Sequence, residues 1–309
     1  DDVTITSGNP TVTSGTTVSC RNLTKSGLLS TFTVSGATLN IYGNLTFNGG
    51  TIATNTSSNI NFAGTGAQSY SGSVSSFTTA NISITAGATL SVNGLLYITN
   101  SLNVTNGILN TNNNITLKSS AGGTAFLGPV NGTLSGRLTF EKYIPGKRAF
   151  RFLAHPLKSD TSIYLNSLTN AFDITGTGGS TNGFTTTVTN APSAFYYSNT
   201  VSGSGTGSND LGWQPFTHTS SGLSNRWESY EGVRVLVRGA LGEGLNGLAY
   251  TPSATTLSLS GFVNTGTQTI NLSRSGTNGY NFIGNPYPAP VDINATTRNN
   301  VGSTFYVWD

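Results

Sequence analysis

A twelve-residue stretch that the chain writes twice constrains its fold most. Gly36-Ala37-Thr38-Leu39-Asn40-Ile41-Tyr42-Gly43-Asn44-Leu45-Thr46-Phe47 returns, 51 residues later, as Gly87-Ala88-Thr89-Leu90-Ser91-Val92-Asn93-Gly94-Leu95-Leu96-Tyr97-Ile98. In each copy the apolar residues fall at alternate positions, Leu39 and Ile41 in one, Leu90 and Val92 in the other. They resume beyond a glycine with Leu45 and Phe47, or Leu96 and Ile98. Period two marks strands with one buried face, and the shared glycine marks a bend between them. Short strands and bends that recur in this way form solenoids, in which each unit buries its apolar face against its neighbours.

Charged side chains make up 8% of the 309 residues, against roughly 25% in a typical globular protein. Such a surface is solvated by the hydroxyls and amides of Thr, Ser and Asn. A chain of this composition without alternation would be low-complexity sequence; the regular Val, Ile, Leu and Phe argue for an all-β protein instead. The net charge of +3 gives no electrostatic case for nucleic acid. Cys20 is the single cysteine, so no internal disulfide staples the fold. No run approaches the ~18 apolar residues of a membrane helix. The chain opens on strand-like sequence, Asp1–Ile5, and closes on Thr304–Asp309, which reads as a piece of a longer protein.

Composition changes near residue 136. Residues 1–135 hold five charged side chains, Asp1, Asp2, Arg21, Lys25 and Lys118, while 136–309 hold the other 20, all three Trp and most of the Phe and Tyr. Two domains are expected, 1–135 and 136–309. In the first, short alternating runs are expected as strands at Val3–Thr6, Thr31–Val34, Leu39–Ile41, Leu45–Phe47, Asn59–Phe62, Ile82–Ile84, Leu90–Val92, Leu96–Ile98, Leu102–Val104 and Ile115–Leu117. A parallel β-helix with three coils in each 51-residue repeat would have about 17 residues per coil, with Asn ladders at its bends. An antiparallel sandwich is the rival. The second domain reads as an antiparallel β-sandwich of eight to ten strands, including Ala194–Tyr197, Val233–Val237, Thr256–Leu259, Gln268–Leu272 and Tyr280–Ile283. A short helix is expected within Asp160–Asn170, and mobile loops at Gly176–Gly183 and Ser202–Asp210.

The Gly-Ala-Thr-Leu repeats, Val18–Thr24 and Asn61–Tyr70 resemble the stalk-like repeats of large Bacteroidota surface proteins. Phe140–Pro145, Gly232–Gly239 and Gly279–Pro288 resemble the module that follows such repeats. The resemblance spans nearly the whole chain, but the C-terminal sorting domain of such proteins is missing. It implies an extracellular cell-surface or secreted segment, passed by a shuttle and an outer-membrane translocon of the type 9 secretion system. Some members of the group are gliding or surface adhesins.

Residues that carry chemistry are few. Between Asp2 and Glu141 there is no carboxylate, so the first domain lacks what acid/base hydrolysis or calcium binding requires. The second has nine carboxylates with His155 and His218, but no zinc spacing and no Gly-x-Ser-x-Gly elbow to select a triad from the serines, His155 and Asp160. Gly242–Gly247 matches a dinucleotide fingerprint in letters, yet no helix follows, and it reads as a turn. Arg137, Lys142, Lys147, Arg148, Arg151 and Lys158 cluster around the junction, either as an anion-binding patch or as the watered face of two strands. Trp213, Arg226, Trp227 and Tyr230 are the candidate ligand-binding residues: aromatic faces among polar groups hold sugar rings, unless they plug a core. No metal, cofactor or catalytic residue is expected. The reading is a non-catalytic structural or adhesive segment whose partners are surface glycans or other cell-surface proteins, with no nucleic acid and no membrane insertion. The alternative is a carbohydrate-binding accessory module of a secreted polysaccharide-degrading enzyme.

Overall fold

The computed structural model describes all residues except 73–76, 86, 88, 159–162, 202–211, 223–224, 274–279 and 308–309. The expected loop at Ser202–Asp210, Asp160, and Gly279 of the Gly279–Pro288 motif therefore lie outside the described residues. The protein is all-β, with 40% strand and 4% helix. It forms two compact units: Asp1–Tyr143 with Leu259–Gly266, and Ile144–Ser258 with Thr267–Asp309.

The first unit is a parallel β-solenoid of about six turns. Coil one comprises β1 (Val3–Ile5), β2 (Thr11–Val12) and β3 (Thr17–Cys20); coil two, β4 (Leu23–Lys25), β5 (Thr31–Val34) and β6 (Thr38–Ile41). Coil three holds β7 (Leu45–Phe47), β8 (Thr51–Thr54) and β9 (Asn59–Phe62). Coil four is β10 (Gln68–Ser71) and β11 (Phe77–Ile84), and coil five β12 (Thr89–Val92) and β13 (Leu96–Val104). In coil six, β14 (Ile108–Asn110) and β15 (Ile115–Leu117) are followed by a small hairpin, β16 (Ser119–Ser120) and β17 (Gly123–Thr124), and then by β18 (Phe126–Val130). β19 (Thr133–Ser135) and β20 (Leu138–Ile144) begin a further turn.

One face is the seven-stranded sheet β1-β4-β7-β10-β12-β14-β19. A second begins as β2-β5-β8. The third begins as β3-β6-β9 and continues into a nine-stranded sheet. The last two merge because β11 and β13 each run through a corner as one strand. Their ladder shifts register between Thr79 and Asn81, where the bend lies. Every ladder of this unit with a described register is parallel, save the hairpin β16–β17, which excludes the antiparallel sandwich here.

The alternation read from the sequence is the alternation of burial. Leu39, Ile60, Ile82, Leu102 and Leu127 stack in register into one inner column, each at most 4% exposed. Burying each such side chain contributes about 1.5–3 kcal/mol. Outward positions carry Thr, Ser and Asn.

Coil length departs from expectation. Stacked partners are 19 to 26 residues apart in sequence, for example Leu96 and Ile115, or Val104 and Val130, rather than 17. A 51-residue repeat is therefore not a whole number of coils. The first copy runs from the third face round a corner to the first, as β6 and β7, whereas the second runs from the first face to the next, as β12 and the start of β13. The motif specifies a strand, a glycine corner and another strand, and that unit serves at any corner.

Corners are held by side-chain ladders, as their Asn content suggested. The Asn22 carboxamide donates to Asp2 Oδ1 (2.9 Å) and accepts from the Asn44 backbone N–H (2.7 Å); Asn44 Oδ1 accepts from Ser69 N–H (2.8 Å). One core position is occupied by a cation. Lys25 is fully buried, its ammonium donating to Gly27 O (2.7 Å), Ser30 Oγ (2.8 Å) and Gly49 O (3.0 Å), so all three N–H bonds are used on neutral acceptors. Gly50 faces this ammonium with φ +72°, and a Cβ there would collide with it.

β25 (Thr255–Gly261) lies beside β20 at the end of the nine-stranded sheet, and Arg137 sits 5.3 Å over the ring of Phe262 in the returning segment.

The second unit is built on a four-stranded antiparallel sheet in the order β21 (Ala149–Leu153), β24 (Val233–Val237), β22 (Ala194–Tyr197), β23 (Trp213–Pro215). Val233, Val235 and Val237 are buried, as are Leu165, Leu168, Phe172, Ile174 and Phe184. Gln268–Leu272 forms no strand, and among the described residues Tyr280–Ile283 contributes a single antiparallel bridge, Ile283 to Glu231. Alternation without a partner edge does not make a strand: Gln268, Thr269, Asn271 and Leu272 are exposed. The expected helix is reduced to a 3-10 turn, Leu165–Leu168. Gly176–Gly183, expected as a mobile loop, folds into a second 3-10 turn at Gly179–Asn182, tied by Asn182 Nδ2 donating to Thr177 O (2.9 Å).

Candidate functional site

Strand alternation sorts β21 and β24 into two faces. Opposite the buried valines lie Phe150, Phe152, Arg234 and Leu236, with Phe152 across from Arg234 and Phe150 across from Leu236. Phe195 of β22 lies across from Arg234 on the other side. The Arg234 guanidinium is 4.0 Å over the Phe150 ring, 5.4 Å from Trp213 and 5.6 Å from Phe195. Phe152 and Trp213 pack together (5.9 Å), and Phe282 closes on both (5.2 and 5.3 Å), while Tyr197 meets Trp213 edge-on (5.2 Å). A delocalised cation thus sits at the centre of a set of aromatic faces, each contact adding about 0.5–2 kcal/mol. Burial lowers the pKa of Arg234, yet leaves it a cation at any working pH. Phe150 is 39% exposed and Phe195 and Trp213 are half-buried, so part of this cluster meets solvent.

The four residues singled out from sequence divide between two places. Trp213 belongs to the aromatic cluster. Arg226, Trp227 and Tyr230 lie in a loop braced against His155. Trp227 is 1% exposed, its Nε1–H donates to Glu231 O (2.9 Å), and its ring meets His155 edge-on at 4.8 Å. Both ring faces are therefore inside the core. Arg226 pairs with Glu228 (3.2 Å) and bridges to Tyr164. Tyr230 is 38% exposed, and its carbonyl accepts from Gly284 N–H (2.8 Å). Burial raises the Tyr230 phenol and the Glu231 carboxyl, whose Oε2 accepts from the Glu228 N–H at 3.2 Å.

His155 is the buried titratable group that most resembles machinery, and its hydrogen bonds define its role. Nδ1 accepts from Leu157 N–H (3.2 Å), which leaves Nε2 as the N–H that donates to Trp227 O (2.7 Å). Both ring nitrogens are engaged in the neutral tautomer, and burial lowers the pKa. A histidine so held braces a loop.

Gly242–Gly247 is a turn, as its sequence context implied. Gly242, Gly244 and Gly247 all take positive φ, and Glu243 folds back to accept from Ala240 N–H (3.0 Å) and Ser253 N–H (2.8 Å). Among the described residues no group of three His, Cys, Asp or Glu side chains is placed to hold a metal ion.

In the sequence Phe150 and Phe152 alternate with Arg151, and Arg234 alternates with valines. That local pattern does not bring them together, since their meeting depends on β21, β22 and β24 being neighbours although about 40 residues or more apart in the chain.

Fold and site define a parallel β-solenoid protein that carries, in the same chain, an antiparallel β unit with an arginine-centred aromatic cluster. Comparison with protein-family models, curated proteins and solved structures finds no match to this chain.

Proposed function

We propose that this chain is a non-catalytic, extracellular structural and adhesive segment, in which the solenoid serves as a spacer and the second unit as the recognition element. The absence of any carboxylate between Asp2 and Glu141 carries the reading. Six turns of stacked coil present hydroxyls and amides to solvent, with no group of the kind that general acid/base hydrolysis needs. In the second unit the four-stranded sheet is read as one layer of a β-sandwich, its valine face buried. Export through a type 9 translocon to the cell surface rests on the resemblance of the repeats and of the module after them.

The half-exposed aromatic cluster favours the second reading, a carbohydrate-binding accessory module. Ring faces flanked by polar groups are suited to stacking on sugars. The test is a glycan array probed with the purified full chain and with Phe150→Ala, run beside a reducing-end assay on a polysaccharide panel. Glycan binding lost in the variant supports the second reading, and no glycan binding leaves a protein partner for the first. Release of reducing ends defeats both.

A further inference from the structure

The edge of the antiparallel sheet ends on an unusual pair. Ala149 lies opposite Val237, so the next residues outward on the two neighbouring strands are Arg148 and Arg238. Like charges directly across a ladder destabilise it; burial and the Arg148 charge both work against the Arg238 cation, and the Asp173 carboxylate offsets only part of this. Arg238 Nη2 donates to Thr175 Oγ1 (3.1 Å), while its Nη1 is buried without a hydrogen-bond partner.

The nearby carboxylates hold hydrogen bonds to other groups, although the Asp173 charge still attracts Arg238. Asp173 accepts from Thr185 Oγ1 (2.8 Å) and Gly242 N–H (2.6 Å), and Glu243 accepts from Ala240 and Ser253 N–H. Arg148, Lys147 and Lys158 are exposed. A guanidinium N–H left without an acceptor is unfavourable, and an oxyanion that reaches it would satisfy it.

We propose that this sheet end, with Arg148 and Arg238 as its anion-binding residues and the Phe150–Phe195–Trp213 cluster beside it, binds an acidic polysaccharide. The inference rests on the recognition role proposed above for the second unit and names its ligand class. Charge complementarity selects an anion, and half-buried ring faces on the same side of the sheet supply an apolar surface for sugar rings. The net charge of +3 lacks the broad basic face that a nucleic-acid backbone requires.

The experiment is affinity electrophoresis of the full chain through gels containing polygalacturonate, its methyl-esterified form, dextran sulfate or unmodified dextran. Competition with single-stranded DNA and the reducing-end assay run in parallel. Retardation by polygalacturonate but not by its ester is expected, weakening with salt. Arg148→Gln/Arg238→Gln should lose about tenfold or more in affinity, as befits charge-assisted contacts, while Lys158→Gln stays close to the parent. Thermal melts establish that the variants are folded, and the single Arg148→Gln, at an exposed position, gives the same reading if the double variant does not fold. Dextran sulfate against polygalacturonate separates sulfate from carboxylate recognition, and retardation by either supports the proposal. Equal binding to the ester or to dextran, no binding to either acidic polymer, unchanged affinity in the folded variants, or displacement by DNA at lower concentration overturns it. Binding to neutral polymers alone would leave the adhesive reading standing; cleavage of any polymer would remove the non-catalytic reading instead.

Discussion

Two buried side chains make the stability of this protein depend on pH, one on the acid side and one on the alkaline side. His155 is held neutral, and burial sets its folded pKa below the value of about 6.5 it has in an unfolded chain. As pH falls below about 6.5 the unfolded state takes up the proton first, so stability present at neutral pH is lost on acidification. His155→Gln, which keeps a donor but does not titrate, should flatten the stability–pH slope between pH 5 and 7, measured by urea unfolding. At the alkaline end, Tyr70 is 1% exposed, donates to Leu95 O (3.2 Å), and has its phenol pushed up to about 12 by burial. Its contribution is complete below pH 10, the unfolded value, and lost as pH rises through about 12. The amplitude is about 1.4 kcal/mol per unit of difference. Tyr70→Phe should move the onset of alkaline unfolding to higher pH, followed by circular dichroism from pH 9 to 12.5.

At the scale of single elements, the corners need more explanation than the strands. β11 and β13 turn a corner without breaking because Asn81, 8% exposed, uses its whole carboxamide there. Nδ2 donates to Thr56 O (2.9 Å) and Ser58 O, and Oδ1 accepts from Asn100 Nδ2 and Ser101 Oγ, each at 2.7 Å. Asn81→Asp sets a carboxylate oxygen against two carbonyls, so a loss of about 3 kcal/mol or more is expected at neutral pH. Acidification through the carboxyl pKa should restore part of it, and thermal melts at pH 3.5 and 7 check this. The strands themselves were legible: Thr31–Val34, Leu45–Phe47, Asn59–Phe62 and Ile115–Leu117 stand as read, because period-two burial needs no long-range information. Asn81 was not legible as a corner, since its role depends on partners 19 to 25 residues away on neighbouring coils. Nor were Leu23–Lys25 and Gln68–Ser71, where a lysine and a glutamine point inward. A polar letter at a core position hides a strand from any reading by hydrophobic pattern.

For the whole molecule, the two units differ in how much of them can be read from local sequence. In the solenoid each coil contacts the next at a separation of 19 to 26 residues, so pattern and fold are nearly the same statement. The second unit joins β21 to β24 and β22 across tens of residues, and its aromatic cluster and Arg148–Arg238 pair exist only through that pairing. Of the candidate residues, Trp213 falls within the cluster and Trp227 inside the core beside His155, a distinction that two tryptophans in polar surroundings do not announce.

That the two copies of the Gly-Ala-Thr-Leu motif lie on different faces has a consequence for how such a chain can be lengthened or shortened. Sequence similarity marks interchangeable corners, but phase around the axis is conserved only over a full coil. Excising residues 45–69 brings Tyr70 to the place of its stacked partner Leu45 and keeps every later strand on its own face. Excising residues 39–89 restores the Thr-Leu junction almost letter for letter, yet delivers Leu90 to the position of Leu39 on the wrong sheet. The first deletion should melt cooperatively with parallel-β circular dichroism and the second should not, although its junction reads as the more native of the two.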